Sequence, residues 1–130
     1  MERQKKIVDA SVGVKWFHQE QDSNKAQKLL EDCETIVVPD LFFYEIANAL
    51  RYNKKELRII NESLKELENL QLETYYFCFE ILAGATELSI KHDLTIYDSL
   101  YLALAELLNY KLITMDRKLL SINHPLVQEL

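Results

Sequence analysis

The chain has 130 residues, 48% of them hydrophobic and 28% charged, and a formal net charge of −6. This length and balance suit a single globular domain over residues 1–130, which buries roughly two-thirds of its unfolded surface and needs no disulfide or metal staple. They exclude a membrane-spanning chain, since no apolar run approaches about 18 residues, and they oppose a protein that grips nucleic acid through a broad basic face.

The opening Met1-Glu2-Arg3-Gln4-Lys5-Lys6 leads into only two apolar residues before Asp9, too few for a signal peptide, so a cytoplasmic location is expected. Cys33 and Cys78 match no metal spacing and read as free thiols. His18, His92 and His124 share no helical face, which argues against a zinc site. Gly13 and Gly84 are the only glycines, which excludes a phosphate-cradling glycine loop and a dinucleotide fingerprint.

In chain order, residues 5–12 read as a first strand, followed by a helical segment near residues 14–17. Residues 23–33 read as a helix capped by Asp22 or Ser23, with Ala26, Leu29 and Leu30 inward. The β-branched run 35–38 is a second strand stopped by Pro39, and Asp40 is a natural N-cap for a helix ending near Tyr52. Residues 56–70 are amphipathic, with Leu57, Ile60, Leu64, Leu67 and Leu70 on one face. A strand over 72–77, a helix over 79–91 and a helix from Thr95 to Leu108 follow. A strand over 112–115, a short helix over 116–121 and an edge strand over 126–129 complete the chain. Strands alternating with helices predict an α/β fold: a three-layer α/β/α sandwich around a mainly parallel sheet.

Four acids stand out. Asp9 and Asp116 each follow a strand, where open α/β sheets gather ligands, although either can serve as a turn or N-cap residue. Thr114 precedes Asp116 by two, so both lie on one side of a strand. Glu45 projects from a helical stripe of Leu41, Phe42, Ile46 and Ala49, with Asn48 beside it at i+3, and no cation other than Arg51 or Arg58 is placed to pair with it. Asp98 fits a capping box with Thr95, yet shares a face with Tyr101, Leu102 and Ala105. Four carboxylates converging in one space repel each other unless a divalent cation neutralises them, which makes a metal-dependent hydrolase the leading reading. Ser11 and Ser99 adjoin two of the acids and could hold a metal-bound water; Tyr44, Tyr52, Tyr97 and Tyr101 could stack on bases, though packing is the commoner use. Lys15, Arg51, Lys54, Lys55, Arg117 and Lys118 lie near the acids in sequence and are candidates for phosphate contacts.

The segments Ile7-Val8-Asp9-Ala10-Ser11, Glu45-Ile46-Ala47-Asn48-Ala49-Leu50, Tyr97-Asp98-Ser99-Leu100-Tyr101-Leu102-Ala103-Leu104-Ala105 and Ile113-Thr114-Met115-Asp116, in this order, resemble the PIN-domain ribonucleases, and more narrowly the VapC-type toxins of toxin–antitoxin pairs. The resemblance covers nearly the whole chain. It implies a parallel sheet of about five strands and a Mg²⁺- or Mn²⁺-dependent endoribonuclease acting on RNA. It also implies a homodimer that a cognate antitoxin inhibits. Asp9, Glu45, Asp98 and Asp116 match the family's acidic positions, and Asn48 and Thr114 its polar companions. Asp9, Asp98 and Asp116 are then the expected metal ligands, Glu45 positions a water, and Ser11 supports the site. The rival expectations are a phosphatase or nucleotide hydrolase on the same metal site, an inactive partner-binding module, and an acidic scaffold whose carboxylates are caps.

Overall fold

Adjacent residues of a strand point to opposite faces, so the pairs Ile7 and Val8, Val37 and Val38, and Leu112 and Ile113, all buried, require a sheet covered on both sides. The computed structural model, which describes residues 5–17, 19–33, 35–53 and 55–130, shows that sheet. Its strands are β1 (Lys5–Val8), β2 (Thr35–Pro39), β3 (Glu73–Tyr75), β4 (Lys111–Thr114) and β5 (Val127–Glu129). They lie in the order β3-β2-β1-β4-β5 and every pair is parallel. The helices are α1 (Ala10–Gly13), α2 (Ser23–Asp32), α3 (Leu41–Tyr52), α4 (Leu57–Asn69), α5 (Phe79–His92), α6 (Ile96–Leu108) and α7 (Arg117–Ser121), with a 3-10 turn at Val14–Trp16. The predicted three-layer sandwich is therefore observed.

The core runs through the sheet's middle. Helix α6 crosses β1, β2 and β4 with Tyr101, Leu102, Leu104 and Ala105 buried, and α5 packs along it. Thr95 caps α6 as expected, its hydroxyl accepting the Asp98 N–H at 3.0 Å.

Three expectations are corrected. The first strand ends at Val8 rather than Val12, because the Asp9 carbonyl accepts the Val12 and Gly13 N–H groups at 3.2 and 3.1 Å and turns the chain into α1. Gly13 allows that turn to sit against α3: a Cβ there would lie 2.5 Å from Phe42 Cζ. The third strand is shorter than 72–77, ending at Tyr75, whose carbonyl takes the Asp40 N–H at 3.0 Å. On α4 only Leu67 of the expected apolar face is buried, Ile60 and Leu64 are partly buried, and Leu57 is 73% exposed at one end and Leu70 37% at the other, so the face is longer than the surface that covers it. Cys33 and Cys78 are free thiols, as read. His18 and Lys54 lie outside the described residues.

Candidate active site

From β1 the chain winds outward through β2 to β3, then returns to the other side of β1 with β4 and β5. The reversal leaves a crevice beyond the carboxyl ends of β1 and β4, where ligands of such sheets collect. Asp9 leaves β1 and Asp116 follows β4 at this point.

Asp9 is buried, and its carboxylate does not cap α1. It is held instead by two hydroxyls: Ser11 donates to Oδ1 and Thr114 to Oδ2, each at 2.5 Å. Each hydroxyl is oriented by a backbone donor, since Ser11 Oγ accepts the Met115 N–H and Thr114 Oγ1 accepts the Asp116 N–H, both at 2.9 Å. Each therefore has its own hydrogen free for Asp9, which selects a group with two acceptor oxygens. Burial pushes the Asp9 carboxyl up to about 6, with the Asp116 charge adding to it, while the Ser11 and Thr114 hydrogen bonds pull it down.

Glu45 faces the same crevice from α3. Its partner is a phenol rather than a cation: the Tyr101 hydroxyl donates to Oε1 at 2.5 Å. The cations considered for this role point elsewhere, as Arg51 lies over the Tyr52 ring and Arg58 pairs with Glu62. Burial raises the Glu45 carboxyl, the charges of Asp9, Asp98 and Asp116 raise it further, and the Tyr101 bond opposes them. Burial also drives the Tyr101 phenol upward, with the Glu45 charge next, so it stays a donor. Tyr101 is 1% exposed, so of the two uses weighed for it, packing is observed and stacking on a base is ruled out. Sequence reasoning put it only on the core side of α6. The available signal was that a buried tyrosine must bring its hydroxyl to an acceptor.

Asp98, half-buried in the first turn of α6, is raised by burial and then by the Asp116 charge, against Thr95 and Lys118. Asp116 is an N-cap in fact, Oδ1 accepting the Leu119 N–H of α7 at 3.0 Å. The four acids thus act on one another's charge, and the structure brings together all four that the sequence singled out. Asn48 and Ser11 line a groove of about 590 Å³ between α1 and α3, with Glu45, Tyr44 and Tyr97. Ser99 is fully buried, and its hydroxyl is without a hydrogen-bond partner among the described residues. Lys15 is spent on Glu20 and the Gln21 carbonyl.

The donor set suits a hard divalent cation, being all oxygen and crowded with like charge, which Lys118 counters at Asp98. Among the described residues, however, no three acid, imidazole or thiol side chains stand close enough to cage an ion. Such a site fits a cation that takes one or two carboxylates and keeps water for its other positions, as Mg²⁺ does.

The family model for the PIN domain matches residues 6–125. The chain belongs to the PIN-domain family. A ribonuclease VapC3 of Pyrobaculum aerophilum is 34% identical to this PIN domain over 121 residues, spanning 88% of it and 92% of that protein. Among solved structures, VapC20 of Mycobacterium tuberculosis, described as a sarcin–ricin-loop-cleaving toxin, superposes with a TM-score of 0.74 at 12% identity, covering 94% of this PIN domain and 98% of that chain. A toxin–antitoxin complex from Klebsiella pneumoniae gives a TM-score of 0.71 at 17% identity, covering 95% of each chain. These two likenesses concern the fold. The resemblance read from four short segments is borne out, down to the VapC-type members.

Proposed function

We propose that this PIN domain is a divalent-metal-dependent endoribonuclease that hydrolyses RNA phosphodiesters, and that it is the toxin of a pair whose cognate antitoxin protein restrains it. The observation that carries the reading is the gathering of Asp9, Glu45, Asp98 and Asp116 at the sheet's reversal point, three of them raised by burial and by each other's charge. The names of the VapC relatives support the RNA substrate and the antitoxin. A cytoplasmic location, a homodimer, and residues 1–130 acting as one nuclease domain belong to the same proposal and rest on that likeness. Among the described residues no helix is long and apolar enough to cross a membrane.

Asp9, Asp98 and Asp116 are the candidate ligands, one or two of them to a given Mg²⁺ or Mn²⁺ ion, which when bound would supply Lewis acidity at the phosphoryl oxygens and lower the pKa of water. Asp9 is fixed by Ser11 and Thr114, so it offers its charge without reorganising. Glu45, steadied by Tyr101 at Oε1, keeps Oε2 to accept a hydrogen bond from the attacking water and aim it. Asp116 spends Oδ1 on capping α7, leaving Oδ2 for the site.

The test is Asp98→Asn, assayed with Mg²⁺ or Mn²⁺ on RNA, on a nucleotide and on a generic phosphate ester. Cleavage of RNA by the native chain, lost in the variant with the fold intact by circular dichroism, is the expected result. Full activity of the variant would overturn the assignment. Hydrolysis of the nucleotide or ester but not of RNA would favour the phosphatase reading. Neither metal binding nor hydrolysis would leave a partner-binding module.

A further inference from the structure

Two tyrosines on the groove's rim have no role in the fold. Tyr44, on α3, is 73% exposed and Tyr97, in the first turn of α6, is 62% exposed; each adjoins an acid of the site, Glu45 and Asp98. Among the described residues neither hydroxyl has a hydrogen-bond partner and neither ring touches another aromatic, whereas Phe77 and Phe79, also exposed, pack edge to face with centroids 4.9 Å apart. Both rings line the groove that Glu45, Ser11 and Asn48 also line. Successive residues of a helix are about 100° apart, so Tyr44 stands at the rim while Glu45 faces the crevice.

None of the groove's lining residues is Lys or Arg. Glu45 is the charged residue in that lining, Lys118 acts on Asp98 from outside it, and the chain's net charge is −6. A polyanion entering this groove meets no cationic side chain in its lining, so contacts that carry no charge have to supply much of its affinity, and a base lying flat on an aromatic ring is a strong contact of that kind. Only an unpaired base has a free face, since in a duplex both are covered by neighbours.

We propose that Tyr44 and Tyr97 are stacking platforms for unpaired bases of the RNA strand in this groove, and that they supply most of the affinity that basic residues supply elsewhere. This deepens the RNA-cleaving reading and rests on it. The test measures anisotropy of a short, unstructured, end-labelled RNA in EDTA, where no metal-dependent cleavage occurs, for the native chain, Tyr44→Leu, Tyr97→Leu, and the corresponding Phe variants. Each Leu variant is expected to weaken binding roughly 5- to 150-fold and each Phe variant to bind as the native chain does, because the ring rather than the hydroxyl is used. The slope of log affinity against log salt should be shallow. Melting curves should be unchanged, since both side chains are exposed.

Cleavage kinetics with Mn²⁺ should show the same factor as a rise in KM, with kcat kept. Leu variants that bind RNA as tightly as the native chain would overturn the proposal; they would mark an apolar rim suited to a protein segment. So would equal affinity for duplex RNA, a steep salt slope, or no RNA binding at all. Binding that depends on the rings without any cleavage sinks only the nuclease reading. Cleavage indifferent to the rings sinks only this one.

Discussion

The burial of Asp9 makes the metal-free protein's stability depend on pH in a direction opposite to that of most salt-bridged carboxylates. Its carboxyl rises from 3.8 to about 6 on folding, so the native state holds the proton more tightly than the unfolded chain. The favourable contribution is complete below 3.8 and is lost as pH climbs through about 6. A rise of this size corresponds to about 3 kcal/mol, and a domain of this length moves by about 3–4 °C per kcal/mol, so a fall in Tm of about 10 °C is expected between pH 4 and pH 7. Glu45 and Asp98, raised in the same direction, can only steepen the fall. Thermal melts in EDTA across that range provide the assay, with Asp9→Asn as the internal comparison. The variant carries no titrating group at this position and should lose most of the slope. It will not recover the full 3 kcal/mol at neutral pH, because its amide places a donor against a hydroxyl that already donates, at a cost of about 1–2 kcal/mol. Parallel curves for the native and variant proteins would refute the claim that Asp9 is buried as a strained anion.

Saturating Mn²⁺ at neutral pH should raise Tm, by about 2.7 kcal/mol of added stability at a hundredfold excess over Kd; a melt indifferent to millimolar Mn²⁺ would count against any cation site among these acids. Tyr101→Phe should destabilise by about 1–3 kcal/mol in urea titration and reduce kcat, since Glu45 loses the phenol that steadies it; an unchanged kcat would show that Glu45 needs no such support. Gly13→Ala forces a Cβ to within 2.5 Å of Phe42 Cζ and 3.0 Å of Ile46 Cδ1, so about 1–3 kcal/mol of overpacking should appear as a lower denaturant midpoint.

The sheet was legible because its strands carry short β-branched runs, and its site because acids interrupt apolar patterns. Glu45 shows both the strength and the limit of that reasoning. A carboxylate in an apolar stripe shows that something must hold it, but periodicity within α3 does not say what, and the nearby cations Arg51 and Arg58 are engaged elsewhere. The answer lay 56 residues away in Tyr101, on another helix. The Asp9 hydroxyl clamp was half-visible: Ser11 is local, whereas Thr114 belongs to a strand whose adjacency to β1 depends on the sheet's winding. The overlong first strand has a local cause. Ala10 to Val12 continue an apolar pattern that a strand also shows, and the Asp9 carbonyl diverts it into a helix. Leu57 and Leu70 lie on a good amphipathic face that is longer than the surface it meets.

The reversal of winding at β1 also orders events during synthesis. Asp9 and Thr114 are separated by 105 residues, the longest span of any side-chain bond in the site. Closing so long a loop is entropically the most expensive step of assembly and comes late. A ribosome therefore carries a chain whose Asp9 and Glu45 have already emerged, but whose crevice cannot close until β4 has been made and docked. Truncated or stalled products that stop short of residue 111 lack the strand that completes the crevice. A PIN domain built this way brings its four acids together only after β4 has followed β1, β2 and β3 into place.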